Sequence, residues 1–194
     1  MEIISLMLGD YQTNCYVVWQ DKKCCIIDPG YEAGQILSAI NARGLEVEAI
    51  LLTHGHFDHV GAVGDIAAET DCQVYLGAAD LGLPPMMTAG KLFYTHTYPV
   101  DGTLNLAGLM FRVIPTPGHT PGSVCLLTGN TIFSGDTLFR GSCGRTDFPG
   151  GSGEQMRASL KTLAALPGDF RVLPGHGGET TLDWERGHNP YLRA

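Results

Sequence analysis

The sequence predicts a layered α/β protein, in which helices cover the faces of β-sheets. Three observations support this class. The chain contains short apolar segments, amphipathic helical segments lie among them, and this succession of strand-like and helical segments is repeated in the second half of the chain. The apolar segments are separated by turn residues, which is typical of β-strands. They are 3–8, 15–19, 23–27, 47–53, 110–114, 124–128, 131–134 and 171–173.

Three segments have the apolar spacing of amphipathic helices. The segment 32–43 places Ile36 and Ile40 on one helical face, and a glycine follows it as a stop signal. A second helix is expected from near Gly61 to about Glu69. The third is marked by apolar residues between 156 and 164. The segment 82–99 is interrupted by prolines and predicts a long irregular loop.

The length and composition indicate a globular protein with one domain spanning residues 1–194. Twelve Lys and Arg residues against 20 Asp and Glu give a net charge of −8. No basic cluster interrupts this pattern, so we expect no nucleic-acid partner. We also expect no membrane association, because the apolar runs are too short to cross a bilayer, and we see no signal peptide. A cytoplasmic location is expected, and the oligomeric state is left open.

Cysteine and glycine usage refine this prediction. None of the six cysteines forms a C-x-x-C pair, so we expect reduced, mostly buried thiols; a disulfide framework is the alternative. Glycine makes up 26 of 194 residues, about 13 %, against a usual value near 7 %. Much of this excess falls beside histidine and aspartate residues that can bind a metal, as expected for a site built from turns at strand ends.

Seven side chains that can bind a metal lie in loops near predicted strand ends, most of them beside glycine or proline. A single histidine in such a loop is usually structural, but four potential ligands within six positions are unlike chance. The seven are His54, His56, Asp58, His59, His119, Asp136 and His176. His96 and His188 lack this context and are interpreted as surface or structural residues.

The number of these candidates favours two metal ions. One four-coordinate zinc needs about four ligands, and a catalytic zinc gives one position to water. Five imidazoles and two carboxylates suit two metals about 3.5–4 Å apart that share a carboxylate and a water. The nitrogen and oxygen ligands suit Zn first, with Fe or Mn as alternatives.

The pattern H-x-H-x-D-H, followed by a distant His, Asp and His, resembles the metallo-β-lactamase-fold hydrolases. The resemblance extends from Asn14-Cys15-Tyr16 through Asp28-Pro29-Gly30 to Gly175-His176-Gly177. It implies a four-layer αβ/βα sandwich with the site at one edge of the two sheets. It also implies one metal on His54, His56 and His119, another on Asp58, His59 and His176, and Asp136 as the bridge. Asp28 is expected to orient a ligating histidine rather than to bind metal.

Within that superfamily, the stretches 140–151 and 185–191 resemble the short bacterial type II glyoxalases. This resemblance implies hydrolysis of a thioester such as S-D-lactoylglutathione by a metal-bridging hydroxide, with Asp58 and Asp136 in catalytic positions. It also implies that the C-terminal helical substrate domain of the longer enzymes is absent. The β-lactamases of this fold carry a cysteine in place of Asp136, so antibiotic hydrolysis is not expected as the main role.

Two questions about function stay open at this point. Persulfide dioxygenases share the Gly-Arg-Thr-Asp-Phe stretch and most of the ligands, yet use a single iron, so a dioxygenase is the second candidate function beside the hydrolase. A non-catalytic metal-binding domain is the third candidate. For the substrate, Arg145 matches a lysine that binds glutathione in the longer glyoxalases, and Phe148 is the nearest aromatic residue. The alternative is that Arg145 pairs with Asp147 inside the protein. Cys143 is interpreted as a packing residue.

Overall fold

The computed structural model describes residues 1–88, 90–99 and 102–193. Its strands are β1 Glu2–Leu8, β2 Thr13–Gln20, β3 Lys23–Ile27, β4 Glu46–Leu51, β5 Gln73–Leu76, β6 His96–Thr97, β7 Thr103–Leu106, β8 Leu109–Pro115, β9 Val124–Thr128, β10 Thr131–Gly135, β11 Leu138–Phe139, β12 Ser142–Cys143, β13 Arg171–Pro174 and β14 Thr180–Thr181. Its α-helices are α1 Ala33–Asn41, α2 Phe57–Val60, α3 Val63–Thr70, α4 Gly153–Ala164 and α5 Leu182–His188.

Twelve of the strands in the described residues form two six-stranded sheets, and β11 and β12 form a separate hairpin. The first sheet has the order β1-β2-β3-β4-β5-β6, antiparallel from β1 to β3 and parallel from β3 to β6. The second sheet has the order β14-β13-β10-β9-β8-β7 and is parallel between β13 and β10. The strand order within each sheet therefore follows the chain closely.

The two sheets pack face to face, and helices cover their outer faces. Ile27 and Leu51 of the first sheet belong to one buried cluster with Phe111, Leu126 and Phe133 of the second. Side chains alternate along a strand, so the neighbouring residues of β3 and β4 point to the other face, where α1 and α3 pack. Strands buried on both faces have continuous apolar sequences, which explains how readily they were predicted.

The outer face of the second sheet is covered by α4. Met156, Leu160 and Leu163 of this helix share a buried cluster with Ile132 and Val172 of the sheet. The helix begins after Ser152, whose side chain accepts a hydrogen bond from the Gln155 amide and so satisfies one free N–H of the first turn. The result is the layered α/β protein that the sequence predicts, in the four-layer αβ/βα arrangement that the family resemblance implies.

Several predicted elements need correction. The helix expected over 61–69 is α3 from Val63, and a separate turn of helix, α2, precedes it. The irregular loop expected over 82–99 contains β6, in which His96 pairs with Tyr75 of β5; Ala89 lies outside the described residues. The short strands β5, β7, β11, β12 and β14 and the helix α5 were not predicted. Most of these elements have two to four residues, too few to show a hydrophobic period.

The cysteines agree with the prediction of reduced thiols. All six are free, five are buried, and Cys143 is partly exposed. In the described residues, no helix combines the length and the apolar character that a membrane crossing requires.

Candidate metal centre

The seven candidate ligands meet at one edge of the sandwich because each follows the end of a strand. His54 lies beyond the end of β4, and His56, Asp58 and His59 follow at the start of α2. The other three lie after β8, β10 and β13, all in the second sheet; they are His119, Asp136 and His176. The strand ends thus bring residues separated by up to 122 positions to one place.

Two glycines allow this close approach. Gly135 has a left-handed backbone with φ of 48°, and a Cβ there would collide with the side chain of Thr53. A Cβ at Gly175 would collide with the carboxylate of Asp136 and come within 2.7 Å of Cε1 of His59. Part of the glycine excess therefore belongs to this site, as the sequence predicts.

Three imidazoles form the first group. The ligating atoms of His54, His56 and His119 all lie within 4.8 Å of one another, and the three side chains are buried. Nδ1 of His56 is 2.8 Å from Nε2 of His119. Such a trio of converging ring nitrogens can hold one metal ion.

The second group combines two imidazoles with a carboxylate. Nε2 of His176 lies 3.2 Å from Oδ2 of Asp58 and 3.3 Å from Nε2 of His59. The distance between Nε2 of His59 and Oδ2 of Asp58 is 3.6 Å. These atoms also fall within 4.8 Å of one another, so this group can hold a second ion.

Asp136 lies between the two groups. Its Oδ2 is 3.5 Å from Nε2 of His119 in the first group and 3.6 Å from Nε2 of His176 in the second. Its Oδ1 is 3.5 Å from Nε2 of His59. A carboxylate in this position can bridge two metal ions, the role that the family resemblance implies for it.

Unpartnered polar atoms support the fit of a metal to this cluster. Nε2 of His54 and Oδ1 of Asp136 are buried and have no hydrogen-bond partner among the described residues. Buried polar atoms are nearly always paired in folded proteins, because an unpaired one costs free energy. Both atoms belong to the seven candidates, and a bound cation would satisfy them.

The outward nitrogens of three histidines have acceptors that fix the rings. Nδ1 of His59 lies 2.9 Å from Oδ2 of Asp28, and Nδ1 of His119 lies 2.7 Å from the Arg145 carbonyl oxygen. Nδ1 of His176 lies 3.1 Å from the Tyr11 carbonyl oxygen. When Nδ1 donates to these oxygens, Nε2 carries a lone pair that faces the centre, as metal binding requires.

Asp28 lies where the sequence places it, beside a histidine ring and behind the centre. It groups with His54 and His59 within 4.8 Å, but its carboxylate already accepts hydrogen bonds from the Thr53 amide at 2.7 Å and the Thr53 hydroxyl at 2.6 Å. The Thr53 hydroxyl oxygen is in turn 3.1 Å from Nδ1 of His54. We therefore interpret Asp28 as a residue that orients His59 directly and His54 through Thr53.

The two groups differ in their electrostatics. Burial, helped by neighbouring rings, lowers the pKa of His56 to about 3 and that of His54 well below its usual value. Burial also disfavours the charged form of His59, but the carboxylates of Asp136, Asp28 and Asp58 outweigh it and raise the pKa of that ring to about 9. Burial thus favours the neutral form of His54 and His56 in the first group, whereas the carboxylates around His59 in the second group favour positive charge.

Sequence reasoning missed Asp80, which ties the loops of the first group together. Its side chain is fully buried. Oδ2 accepts hydrogen bonds from the Gly55 amide at 2.8 Å and the Thr120 hydroxyl at 2.9 Å, and Oδ1 accepts one from the Gly122 amide at 2.6 Å. An isolated acidic residue after an unpredicted strand carried no signal for this role.

A cavity of about 570 Å³ opens over the centre. Besides five of the candidate ligands, its walls consist mainly of aromatic and other apolar side chains. The cavity-lining residues are Tyr11, His56, Phe57, Asp58, Met87, His119, Asp136, Phe139, Ser142, Cys143, Arg145, Phe148 and His176. Arg145 and Phe148, the predicted substrate residues, are thus in the wall, whereas His96 and His188 are not.

Arg145 also forms the alternative contact that the sequence leaves open. Its guanidinium donates from Nε to Oδ1 of Asp147 at 2.7 Å and from Nη2 to Oδ2 at 2.6 Å. The same guanidinium carbon lies 3.8 Å from the centre of the Phe148 ring. The Phe148 ring in turn makes an edge contact with His56, with 5.9 Å between ring centres.

A four-layer αβ/βα sandwich with a histidine and aspartate cluster at one edge of its sheets defines the class of metallo-β-lactamase-fold proteins. The Metallo-beta-lactamase superfamily matches residues 8–176, a range that contains all seven candidate ligands. The chain belongs to this superfamily of metallo-hydrolases.

Individual relatives cover essentially the whole chain. Hydroxyacylglutathione hydrolase GloC from Haemophilus influenzae is 33 % identical over 213 residues, covering 100 % of this chain and 99 % of the relative. The crystal structure of BLEG-1 B3 metallo-beta-lactamase has a TM-score of 0.92 and 35 % identity, covering 100 % of both chains. The structure of TTHA1623 in a di-iron-bound form has a TM-score of 0.85 and 41 % identity, covering 97 % of this chain and 99 % of that one.

Proposed function

We propose that this protein is a binuclear metallo-hydrolase that cleaves a thioester, such as S-D-lactoylglutathione, to a thiol and a hydroxy acid. The observation that carries the proposal is the position of Asp136, within 3.6 Å of ring nitrogens in both groups of candidate ligands. The similarity to a protein named hydroxyacylglutathione hydrolase supports the choice of a glutathione thioester.

Each candidate residue has a defined part in this proposal. His54, His56 and His119 would hold one divalent ion, Asp58, His59 and His176 would hold the other, and the Asp136 carboxylate would be shared between them. When bound, the two ions lower the pKa of a shared water toward about 7 and so supply hydroxide for attack on the thioester carbonyl. The imidazole and carboxylate donors suit Zn, Fe or Mn, and we propose Zn first.

The cavity supports a reaction without a protein nucleophile. Cys143 lines the cavity, but burial raises the pKa of its thiol, so at neutral pH it is mainly the weakly nucleophilic protonated form. The aromatic and other apolar side chains of the cavity wall offer contact surface to the apolar parts of a substrate. Arg145 and Phe148 are proposed to contact the thiol part of the substrate from the wall of this cavity.

The test is an assay of the metal-loaded protein with two substrates. Thiol release is followed with S-D-lactoylglutathione, and oxygen uptake is followed with glutathione persulfide, alongside elemental analysis of the metal. We expect thiol release, no oxygen uptake and about two metal ions per chain. Oxygen uptake with one iron per chain would instead establish a persulfide dioxygenase, and inactivity with both substrates would overturn the proposed thioesterase and leave hydrolysis of another ester or lactone, or a metal-binding domain.

A further inference from the structure

The cavity over the candidate metal centre has a single cationic side chain among the described residues that line it, Arg145. Its acidic residues, Asp58 and Asp136, are candidate metal ligands. A substrate that carries carboxylates, as glutathione does, therefore has Arg145 as its counter-charge in this wall.

The carboxylate of Asp147 already binds the guanidinium of Arg145. The Nε and Nη2 edge of the guanidinium is taken by the two carboxylate oxygens, at 2.7 and 2.6 Å. This hydrogen-bonded pair lowers the pKa of Asp147 to about 2, so the carboxylate is charged throughout the neutral range. A substrate carboxylate that approaches the same edge has to displace Asp147 first.

Two further features make that displacement feasible. Both side chains of the pair are more than half exposed, at 55 % and 65 %, and exposed ion pairs are weak because water and salt screen them. The Phe148 ring, 3.8 Å below the guanidinium carbon, holds the cation at the cavity wall independently of Asp147. Loss of the Asp147 contact would therefore leave Arg145 in place rather than release it to solvent.

We propose that Asp147 sets the charge selectivity of this pocket by competing with substrate carboxylates for the Arg145 guanidinium. The inference rests on the proposed thioesterase function and names the class of substrate that the site tolerates. Thioesters of neutral thiols enter without displacing Asp147, whereas thioesters of carboxylate-bearing thiols bind only in exchange for it. Asp147 is thus a specificity determinant that does not itself contact the reacting atoms.

The test compares two thioesters with the same acyl group, S-D-lactoylglutathione and the uncharged S-D-lactoyl-N-acetylcysteamine. In the metal-loaded Asp147→Asn variant, we expect the KM for the glutathione thioester to fall about two- to fivefold, the range that corresponds to a weak surface pair. The KM for the glutathione thioester divided by the KM for the uncharged thioester should fall by the same factor. Asp147→Glu should restore the wild-type ratio, which a merely structural role for Asp147 does not predict.

Two controls complete the design. Glu48 lies on β4, in the half of that strand away from the metal ligands, and its carboxylate pairs with the Lys23 ammonium at 3.1 Å. Glu48→Gln removes this ion-pair carboxylate and should leave the ratio of the two KM values unchanged. In an Arg145→Ala background, Asp147→Asn should no longer alter the ratio, because the cation for which it competes is gone.

The outcomes separate the two proposals. An unchanged KM ratio in both Asp147→Asn and Asp147→Ser would overturn the inference while leaving the thioesterase function intact. Wild-type protein that hydrolyses neither thioester would remove the proposed function, and the inference with it.

Discussion

The hydroxyl of Thr120 donates a hydrogen bond of 2.9 Å to Oδ2 of Asp80, which joins two loops that each carry candidate ligands of the first metal group. The same oxygen accepts a bond from the Gly55 amide, between His54 and His56, while Thr120 follows His119 directly. One buried carboxylate thus fixes the relative positions of three imidazoles without contacting any of their ligating nitrogens.

Replacement of Asp80 should therefore loosen the first group selectively. Asp80→Asn places an amide N–H₂ against donors, and we expect a loss of about 1–3 kcal/mol in the free energy of unfolding, the usual cost of unsatisfied buried groups. Metal content should fall toward one ion per chain. Chemical denaturation of the metal-free protein and elemental analysis measure the two effects. Two tightly held ions in a folded Asp80→Asn variant would contradict the role assigned to Asp80.

Asp28 supports the second group in a comparable way, through the 2.9 Å contact between its Oδ2 and Nδ1 of His59. For Asp28→Asn, we expect metal affinity to fall about 10- to 100-fold, as is usual when a partner of a ligating histidine is lost. A competition titration against a chelating dye measures this. Asp71→Asn, an equivalent change at the exposed C-terminus of α3, is the matched control and should not alter the affinity.

The sequence predicted that the seven candidate ligands lie together, because metal chemistry restricts the types of residue and because glycine is needed where such side chains crowd. Long strands such as β2 and β3 were equally clear, since their side chains are buried on both faces of a sheet. Asp80 and β6 could not be predicted in this way. A single acidic residue becomes informative only when folding brings Gly55, Thr120 and Gly122 around it.

The Arg145 side chain shows a different limit. Its sequence context left two partners open, a substrate carboxylate and Asp147, because both bonds use the same guanidinium edge. The structure places Arg145 in the cavity wall and against Asp147 at once. Spacing along the chain cannot separate these partners, since a guanidinium presents the same N–H donors to either carboxylate.

Asp136 gives the most direct test of the binuclear proposal. Asp136→Ala removes the carboxylate that lies within 3.6 Å of ring nitrogens in both groups. We expect thioesterase activity to disappear and metal affinity to fall by at least about 100-fold, more than for a residue that only orients a ligand. Thiol release and elemental analysis measure these effects. Near-normal turnover by a folded Asp136→Ala variant would be incompatible with a bridging role.

The cysteines should be unreactive in the native protein. Burial raises the pKa of the Cys125 thiol to about 11 and that of Cys24 to about 12, so at pH 8 both are protonated as well as shielded. Since the thiolate is the reactive form, we expect iodoacetamide at pH 8 to label at most the partly exposed Cys143. Unfolding in guanidinium chloride should expose all six thiols. Rapid labelling of several cysteines without denaturant would contradict the buried core described here.

Gly175 offers a prediction with a control three residues away. A Cβ at Gly175 would collide with the Asp136 carboxylate and lie 2.7 Å from the His59 ring, whereas a Cβ at Gly178 would meet no atom of the described residues within 4 Å. Gly175→Ala should therefore displace Asp136, which lies between the two groups, and His59 of the second group, and cost about 1–3 kcal/mol of stability, as overpacking does. Gly178→Ala should keep wild-type metal content and thermal stability. Equal behaviour of the two variants, measured by elemental analysis and calorimetry, would mean that the crowding at Gly175 does not control the geometry of the centre.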